Sequence, residues 1–298
     1  MPFTQWLLLI FLSILWGGMF LFVNIAVQEV PVLTLVFTRV LLAAAALLPL
    51  LYAKHLRLPA TLKAWQPFIV LSFLNNIVPF VLIARAQEEI AIGLASVLQA
   101  TTPLFGVLLS HVFTADERMT PRRLAGVLIG VVGVAVLVGP EALFGRSNNF
   151  LGMILMLGAA CSYGGAGVWS RRFQDTPPLV TSTGLLVCST VVLFPFALGI
   201  DQPWRLAMPS GAAIASIISL ALLSTALAYI VFFRIMAVSG PTNTWLVTLL
   251  NPISAIGLGV MVLGEVLLLR HITGALIIAS ALIVLDGRIF RTLRLRTR

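Results

Sequence analysis

Charged residues are scarce in this chain of 298 residues. Asp, Glu, Lys and Arg together make up 10% of it and hydrophobic residues 60%, whereas about a quarter of the residues of a soluble domain are charged. This balance excludes a soluble globular protein and predicts an integral membrane protein. The net charge of +9 does not indicate nucleic-acid binding, because the basic residues lie mostly in short links and in the tail, where they orient spans in a bilayer. We therefore expect the lipid bilayer as a partner and no nucleic acid.

Cysteine is also rare, and recognisable catalytic motifs are lacking. Cys161 and Cys188 both fall inside apolar runs, which argues against a disulfide framework or a metal cluster, so we expect no metal and no cofactor. The chain has no His-Glu-x-x-His, no aspartate pair inside a span and no phosphate-binding glycine loop, which disfavours the alternative of a membrane enzyme. A channel is a third option, disfavoured because charged rings and repeated filter segments are missing.

Long apolar runs fill the rest of the chain. A spanning helix needs roughly 20 predominantly apolar residues, and on that rule the sequence predicts ten spans with no room for a soluble domain. The predicted spans are Gln5–Val27, Pro31–Leu51, Trp65–Ala84, Ile90–Phe113, Arg123–Val138, Phe150–Ser170, Pro178–Leu198, Gly211–Phe233, Thr242–Leu263 and His271–Leu285.

The distribution of Lys and Arg predicts the orientation of these spans. Most basic residues fall in the links and tail on one side, which the positive-inside rule assigns to the cytoplasm. Both termini are then cytoplasmic. The basic residues left on the outer side are Arg85, Arg146, Arg205 and Arg270.

One motif occurs twice, at a constant offset of 148 to 149 residues. Pro103 corresponds to Pro252, Glu117 to Glu265, and the run that begins at Leu124 to the run that begins at Ile272. Because each copy contains an odd number of spans, the second copy enters the membrane from the opposite side, an arrangement typical of secondary transporters. The sequence thus predicts an all-α integral membrane protein with ten transmembrane helices, built as two inverted five-helix repeats, residues 1–145 and 146–298, around a central cavity.

These motifs resemble those of a known family. The segment from Pro252 to Leu263-Gly264-Glu265 followed by Gly274, its weaker copy from Pro103 to Glu117 and Gly126, and the opening Ser13-Ile14-Leu15-Trp16-Gly17 resemble the drug/metabolite transporter superfamily, in its ten-span, two-repeat (EamA-type) branch. The resemblance covers nearly the whole chain. It implies an alternating-access transporter of the bacterial inner membrane, similar to exporters of amino acids, aromatic ones among them. Exporters of other metabolites, purines or cationic drugs remain the alternative within the superfamily.

Polar residues converge on the middle of several spans, where a polar side chain normally faces the bundle interior or a wet cavity. The repeat offset pairs Asn75 and Asn76 with Ser224 and Thr225, and Pro79 in the same span can expose backbone carbonyls. The functional interpretation is a cavity in which amides and hydroxyls bind the polar end of a small-molecule substrate and aromatic rings line an apolar part; the alternative is ordinary hydrogen bonding and packing between helices. The candidate residues are Trp16, Asn75, Asn76, Phe80, Gln99, Tyr163, Ser224, Tyr229, Trp245, Thr248 and Asn251.

Arg39 is a cation well inside a span. The sequence leaves open whether it attracts a substrate carboxylate, pairs with Glu88 or Glu89, or extends its side chain to the surface. Glu117 and Glu265 are expected to cap helix N-termini, with a gating ion pair as the alternative.

All ten acidic residues lie at span ends or in links. A mid-membrane proton or sodium relay is therefore not predicted, which leaves a facilitator, or coupling through a peripheral carboxylate or His111. Gly126 and Gly130 have a spacing that permits close helix packing. We attribute it to packing inside the bundle and expect a monomer, with a dimer left open.

Overall fold

Helices joined by short links make up the part of the chain that a computed structural model describes, namely residues 3–114, 119–138, 149–239, 247–266 and 268–286. Hydrocarbon offers no partner to an unpaired peptide group, so a chain this apolar crosses a membrane as helices that close their own hydrogen bonds. Within the described residues, seven helical segments are long and apolar enough to span a membrane, and shorter apolar helices lie at Leu250–Leu263 and Leu269–Ala281.

The spans of the structure follow the predicted ones to within a few residues at most ends. In the first half they are Phe3–Val27, Val32–Ala53, Leu62–Ser72 joined to Val78–Ala86 by a π-helical segment at Phe73–Ile77, Ile92–Gln99 followed by Thr102–Phe113, and Pro121–Val138. In the second half they are Phe150–Trp169, Pro178–Phe196 with a π segment at Ala197–Asp201, Gly211–Ala221 joined to Ala228–Ser239 by a π segment at Leu222–Leu227, Val247–Leu263 and Leu269–Asp286. The predicted start of the ninth span at Thr242 and the boundary between residues 145 and 146 lie outside the described residues, so both stay predictions.

Pro103 and Pro252, the prolines of the repeated motif, lie in different helical contexts. The fourth span, predicted as one helix, is broken at Ala100 and Thr101 just before Pro103, and the Thr101 hydroxyl donates to the carbonyl of Leu98 at 2.6 Å. Pro252 lies inside the continuous helix Val247–Leu263. The repeats therefore differ locally even where their motif is shared.

Packing follows a pseudo-two-fold rule. The first span packs against the eighth and ninth, and the sixth packs in the same way against the third and fourth. The second span packs against the seventh, and the fifth against the tenth. Each contact thus has a counterpart five spans later in the other half. The predicted fold class, two inverted five-helix repeats, is confirmed.

Glycines allow the closest of these approaches. A Cβ atom at Gly17 would lie 2.7 Å from the Cβ of Ser254 and 2.9 Å from the backbone nitrogen of Ala255 in the ninth span. Its counterpart Gly164 would meet the backbone nitrogen of Gly106 in the fourth span at 2.8 Å. Both repeats therefore use a glycine where backbone meets backbone.

Carboxylates close the helix ends on one side of the bundle, which we call the capped face. It carries the links between the first and second, third and fourth, seventh and eighth, and ninth and tenth spans. Glu265 accepts hydrogen bonds from the backbone N–H groups of Ile92 at 2.6 Å and Gly93 at 3.0 Å. It has the predicted capping role, but on a helix of the other repeat.

Three further carboxylates hold the starts of other helices, Glu89 and Asp201 at first-turn amides and Glu29 at the N-cap residue Ser210, and we call all four of them caps. Glu89 accepts from the N–H of Gly152 at 3.1 Å, and Asp201 accepts from the N–H of Thr34 at 2.7 Å and from its hydroxyl at 2.9 Å. Glu29 accepts from the N–H and the hydroxyl of Ser210, both at 2.6 Å. The Ser210 side chain, and then its backbone, lower the pKa of Glu29, because both bonds favour the ionised carboxylate.

We expect Gly17→Ala and Gly164→Ala each to destabilise the protein by about 1 to 3 kcal/mol, since the added methyl group meets backbone that cannot rotate away. Thermal unfolding followed by size-exclusion chromatography in detergent measures this. Gly167→Ala is the matched control, because a Cβ there has no atom within 4 Å. Equal melting temperatures for all three variants would contradict the packing described.

Candidate functional site

The central polar residues lie on the two π segments that the repeat relates to each other. Asn75 and Asn76 belong to the segment Phe73–Ile77, and Ser224 and Thr225 to the segment Leu222–Leu227. A π turn offsets the backbone hydrogen bonds by one residue and occurs frequently at functional sites. Both repeats therefore interrupt the regular helix at the position that carries their polar pair.

Pro79 explains the interruption in the third span. Proline has no N–H, so carbonyls one turn earlier lose their backbone donor. The hydroxyl of Ser162, in the sixth span, donates to one of them, the carbonyl of Leu74, at 2.8 Å. A hydroxyl from one repeat thus satisfies the backbone of the other.

Thr225 performs the related function in the eighth span and connects it to Arg39. Its hydroxyl donates to the carbonyl of Leu220, five residues earlier, at 2.8 Å. The same oxygen accepts from Nε of Arg39 at 3.0 Å. The interrupted backbone of the second repeat therefore holds the arginine of the first.

An amide and hydroxyl network lies at the junction between the repeats. The amide group of Asn75 donates to Oδ1 of Asn76 at 3.0 Å and to the hydroxyl of Tyr229 at 3.2 Å. The Tyr229 hydroxyl donates to Oδ1 of Asn76 at 3.3 Å. The amide of Asn76, which is fully buried, donates to Oγ of Ser189 at 3.1 Å. The network thus joins the third, seventh and eighth spans.

Arg39 is buried, with 4% of its surface exposed. Besides Thr225, its guanidinium contacts the sulfur of Met19 at 3.2 Å and lies 3.6 Å from the centre of the Phe80 ring. The phenol rings of Tyr163 and Tyr229 lie in the surroundings of the guanidinium. Among the described residues no carboxylate lies within ion-pair distance of Arg39.

The sequence alternative in which Arg39 pairs with Glu88 or Glu89 is wrong. Glu88 pairs with Arg85 three residues earlier, and Glu89 caps the sixth span at Gly152. The other alternative, extension to the surface, is excluded by the burial of Arg39. Both glutamates lie near the capped face, where Arg85 stabilises the charge of Glu88 and the start of the sixth span stabilises that of Glu89.

Other candidate residues lie outside this hydrogen-bond network. The Trp16 ring packs against Phe232 with 5.5 Å between ring centres, and Ser224 donates to the carbonyl of Leu15 at 2.7 Å. The side-chain oxygens of Gln99 and Asn251 are buried and have no hydrogen-bond partner among the described residues. Trp245, Glu117 and the side chain of Thr248 lie outside the described part of the chain, so their predicted roles stay predictions.

Three residues that contact Arg39 or the amide network, namely Thr225, Ser189 and Met19, were absent from the predicted site residues. Thr225 was recognisable as the counterpart of Asn76, but Ser189 and Met19 were not, because a serine that bonds to its own helix and a methionine in an apolar run are common in membrane spans. Ser189 also donates to the carbonyl of Leu185 at 2.7 Å.

For the described residues, no group of three His, Cys, Asp or Glu side chains suited to a metal is found.

Known proteins resemble this chain over nearly its whole length. An uncharacterised transporter of Bacillus subtilis, YoaV, is 24% identical over 279 residues, covering 92% of this chain and 94% of its own. A protein of Salmonella typhimurium described as a probable amino-acid metabolite efflux pump is 26% identical over 294 residues, covering 94% and 95%. One solved crystal structure shares the fold, with a TM-score of 0.65 at 20% identity over 95% of this chain and 97% of its own.

The family comparison agrees with the duplication seen in sequence and structure. The profile of the EamA-like transporter family matches residues 4–139 and again residues 150–285. These two stretches contain the two sets of five spans that pack about the pseudo-two-fold axis. The chain belongs to the EamA-like transporter family, and it is a multi-pass membrane transporter.

Proposed function

We propose that this transporter exports amino acids, aromatic or neutral ones foremost, by binding them at Arg39 and the amide network between the repeats. The observation that carries the proposal is the buried guanidinium without a protein carboxylate beside it among the described residues. Buried charges in membrane spans are normally paired. A substrate carboxylate supplies the missing negative charge.

The surroundings of Arg39 suit the other parts of an amino acid. An ammonium group needs acceptors, and Gln99 and Asn251 have buried amide oxygens without a partner among the described residues. The rings of Phe80, Tyr163 and Tyr229 would contact an apolar side chain. The relative described as an amino-acid metabolite efflux pump supports the same substrate class.

The charge of the site also separates the candidate substrates. A cationic drug would meet a fixed positive charge at Arg39, and like charges in a poorly solvated site repel strongly. An amino acid, by contrast, neutralises it. We therefore favour amino acids over purines and cationic drugs as substrates.

The proposal also includes the orientation of the protein. The distribution of Lys and Arg predicts that it lies in the inner membrane with both termini in the cytoplasm.

Arg39→Met should lower amino-acid transport at least about 30-fold, because losing one partner of a buried charge pair costs roughly 2 kcal/mol or more. Counterflow of labelled phenylalanine, tryptophan and leucine in proteoliposomes measures it. Amines that lack the carboxylate, such as tryptamine, should exchange poorly in the unmodified protein. Exchange, rather than chemical conversion of the solute, also distinguishes a carrier from an enzyme.

Arg85→Met is the matched control, since it removes an arginine that is half exposed and pairs with Glu88 at the end of its own span. Its counterflow should equal that of the unmodified protein. Normal amino-acid exchange by Arg39→Met, or equal exchange of tryptamine and tryptophan, would refute the assignment of the carboxylate site.

Asn76→Ala and Tyr163→Ala should each impair transport while leaving expression intact. Asn76→Ala removes bonds to Ser189, Asn75 and Tyr229, and Tyr163→Ala removes a ring beside Arg39. The control is Ser280→Ala, whose exposed hydroxyl donates only to its own helix, at the carbonyl of Ile277. Unchanged counterflow in both site variants would show that the substrate binds elsewhere.

A further inference from the structure

The four carboxylate caps of the capped face all cross from one repeat to the other. Glu29 and Glu89, in the first repeat, cap the eighth and sixth spans of the second. Asp201 and Glu265, in the second repeat, cap the second and fourth spans of the first. Four helices that begin on this face are thus held by the opposite repeat.

The opposite face is built differently. The third span begins after Thr61 and the seventh after Pro177, and neither has a side-chain cap. At the start of the fifth span, Thr120 accepts from the N–H of Arg123 at 3.2 Å, a contact within the same repeat. Among the described residues, cross-repeat carboxylate caps are therefore confined to one face.

The sequence accounts for this difference through the repeat offset. The counterparts of Glu29, Glu89 and Asp201 on the other face are Thr176, Val238 and Lys54, none of which can act as an anionic cap. The counterpart of Glu265 is Glu117, a carboxylate that lies outside the described residues. Thr181, the counterpart of Thr34, has a buried hydroxyl without a partner among the described residues. At three of the four positions, therefore, the two faces cannot close by the same contacts although the backbone repeats.

We propose that the four reciprocal caps form the gate of the capped face, and that this face opens only when they release. Opening separates the repeats on that side, because every cap joins a link of one repeat to a helix end of the other. Water that enters the open side solvates the freed carboxylates and amides. Breaking the caps therefore has a small free-energy cost at the surface, whereas the same bonds would be costly to break at mid-membrane. Each cap favours the closed state by about fivefold, the usual effect of an N-terminal cap.

The gate also sets the resting state of the proposed exporter. By the positive-inside rule the capped face is extracellular, so the caps favour a transporter closed to the outside, ready to receive substrate from the cytoplasm. The gate depends on the packing of the repeats and not on the identity of the substrate. Its failure would therefore leave the amino-acid site intact, and the reverse also holds.

The test is a pair of spin-label distances in variants of the full chain whose native cysteines, Cys161 and Cys188, are replaced by alanine. Labels at Gln28 and Met208, both exposed, report the separation of the repeats on the capped face. Labels at Leu62 and Gln174, also exposed, report the opposite face. Electron–electron double resonance in nanodiscs gives the distance distributions.

Glu265→Ala and Glu29→Ala should each raise the ratio of open to closed capped face about fivefold, with longer Gln28–Met208 distances and shorter Leu62–Gln174 distances. Glu265→Gln, which keeps one acceptor, should give a smaller shift. Glu88→Ala is the control, because Glu88 pairs only within its own span. Its distributions should match those of the parent.

Two results would overturn the gate. Unchanged distances in both alanine variants would mean that the caps do not hold the face closed. Loosening of both faces together, with a lower melting temperature, would mean that the caps stabilise the folded bundle and do not select between its two states.

Discussion

The need to satisfy every peptide group in hydrocarbon is the constraint on which the rest of this structure depends. Regular helix meets it inside each span, and where the helix is interrupted a partner must come from elsewhere. Ser162 supplies a donor to the carbonyl of Leu74, and Thr225 supplies one to the carbonyl of Leu220. The first of these contacts crosses between the repeats, and the second recruits Arg39 of the other repeat. Backbone chemistry has thus placed the polar centre at the junction of the two halves.

The same requirement acts at the helix ends, but there water competes. The first amides of a helix need acceptors, and on the capped face carboxylates such as Glu265 provide them across the repeat boundary. Bonds at mid-membrane, such as that between Asn76 and Ser189, are costly to break without a replacement partner. Bonds at the surface exchange with water at little cost. In the proposed transport cycle, the centre therefore stays intact as the binding site while the helix ends exchange partners.

Much of this organisation was predictable from the sequence because it depends on composition and on the repeat. The apolar runs located the spans, and the offset between Pro103 and Pro252 identified two inverted copies. The capping role of Glu265 followed from the chemistry of helix ends, but its target did not, because Ile92 lies far away in the chain and is brought near only by packing. The broken fourth span was missed, since the same motif proline leaves the ninth span continuous.

Arg39 shows most clearly which features the sequence could not predict. The sequence by itself determined that a cation lies inside a span and that membrane carboxylates are confined to span ends, because residue type and position along an apolar run suffice for both. Only the tertiary structure decided that Arg39 lies over Phe80 and against Thr225, while Glu88 and Glu89 are engaged elsewhere. The physical reason is that spacing along one helix fixes depth in the membrane, whereas the rotation and pairing of helices decide which side chains meet at that depth.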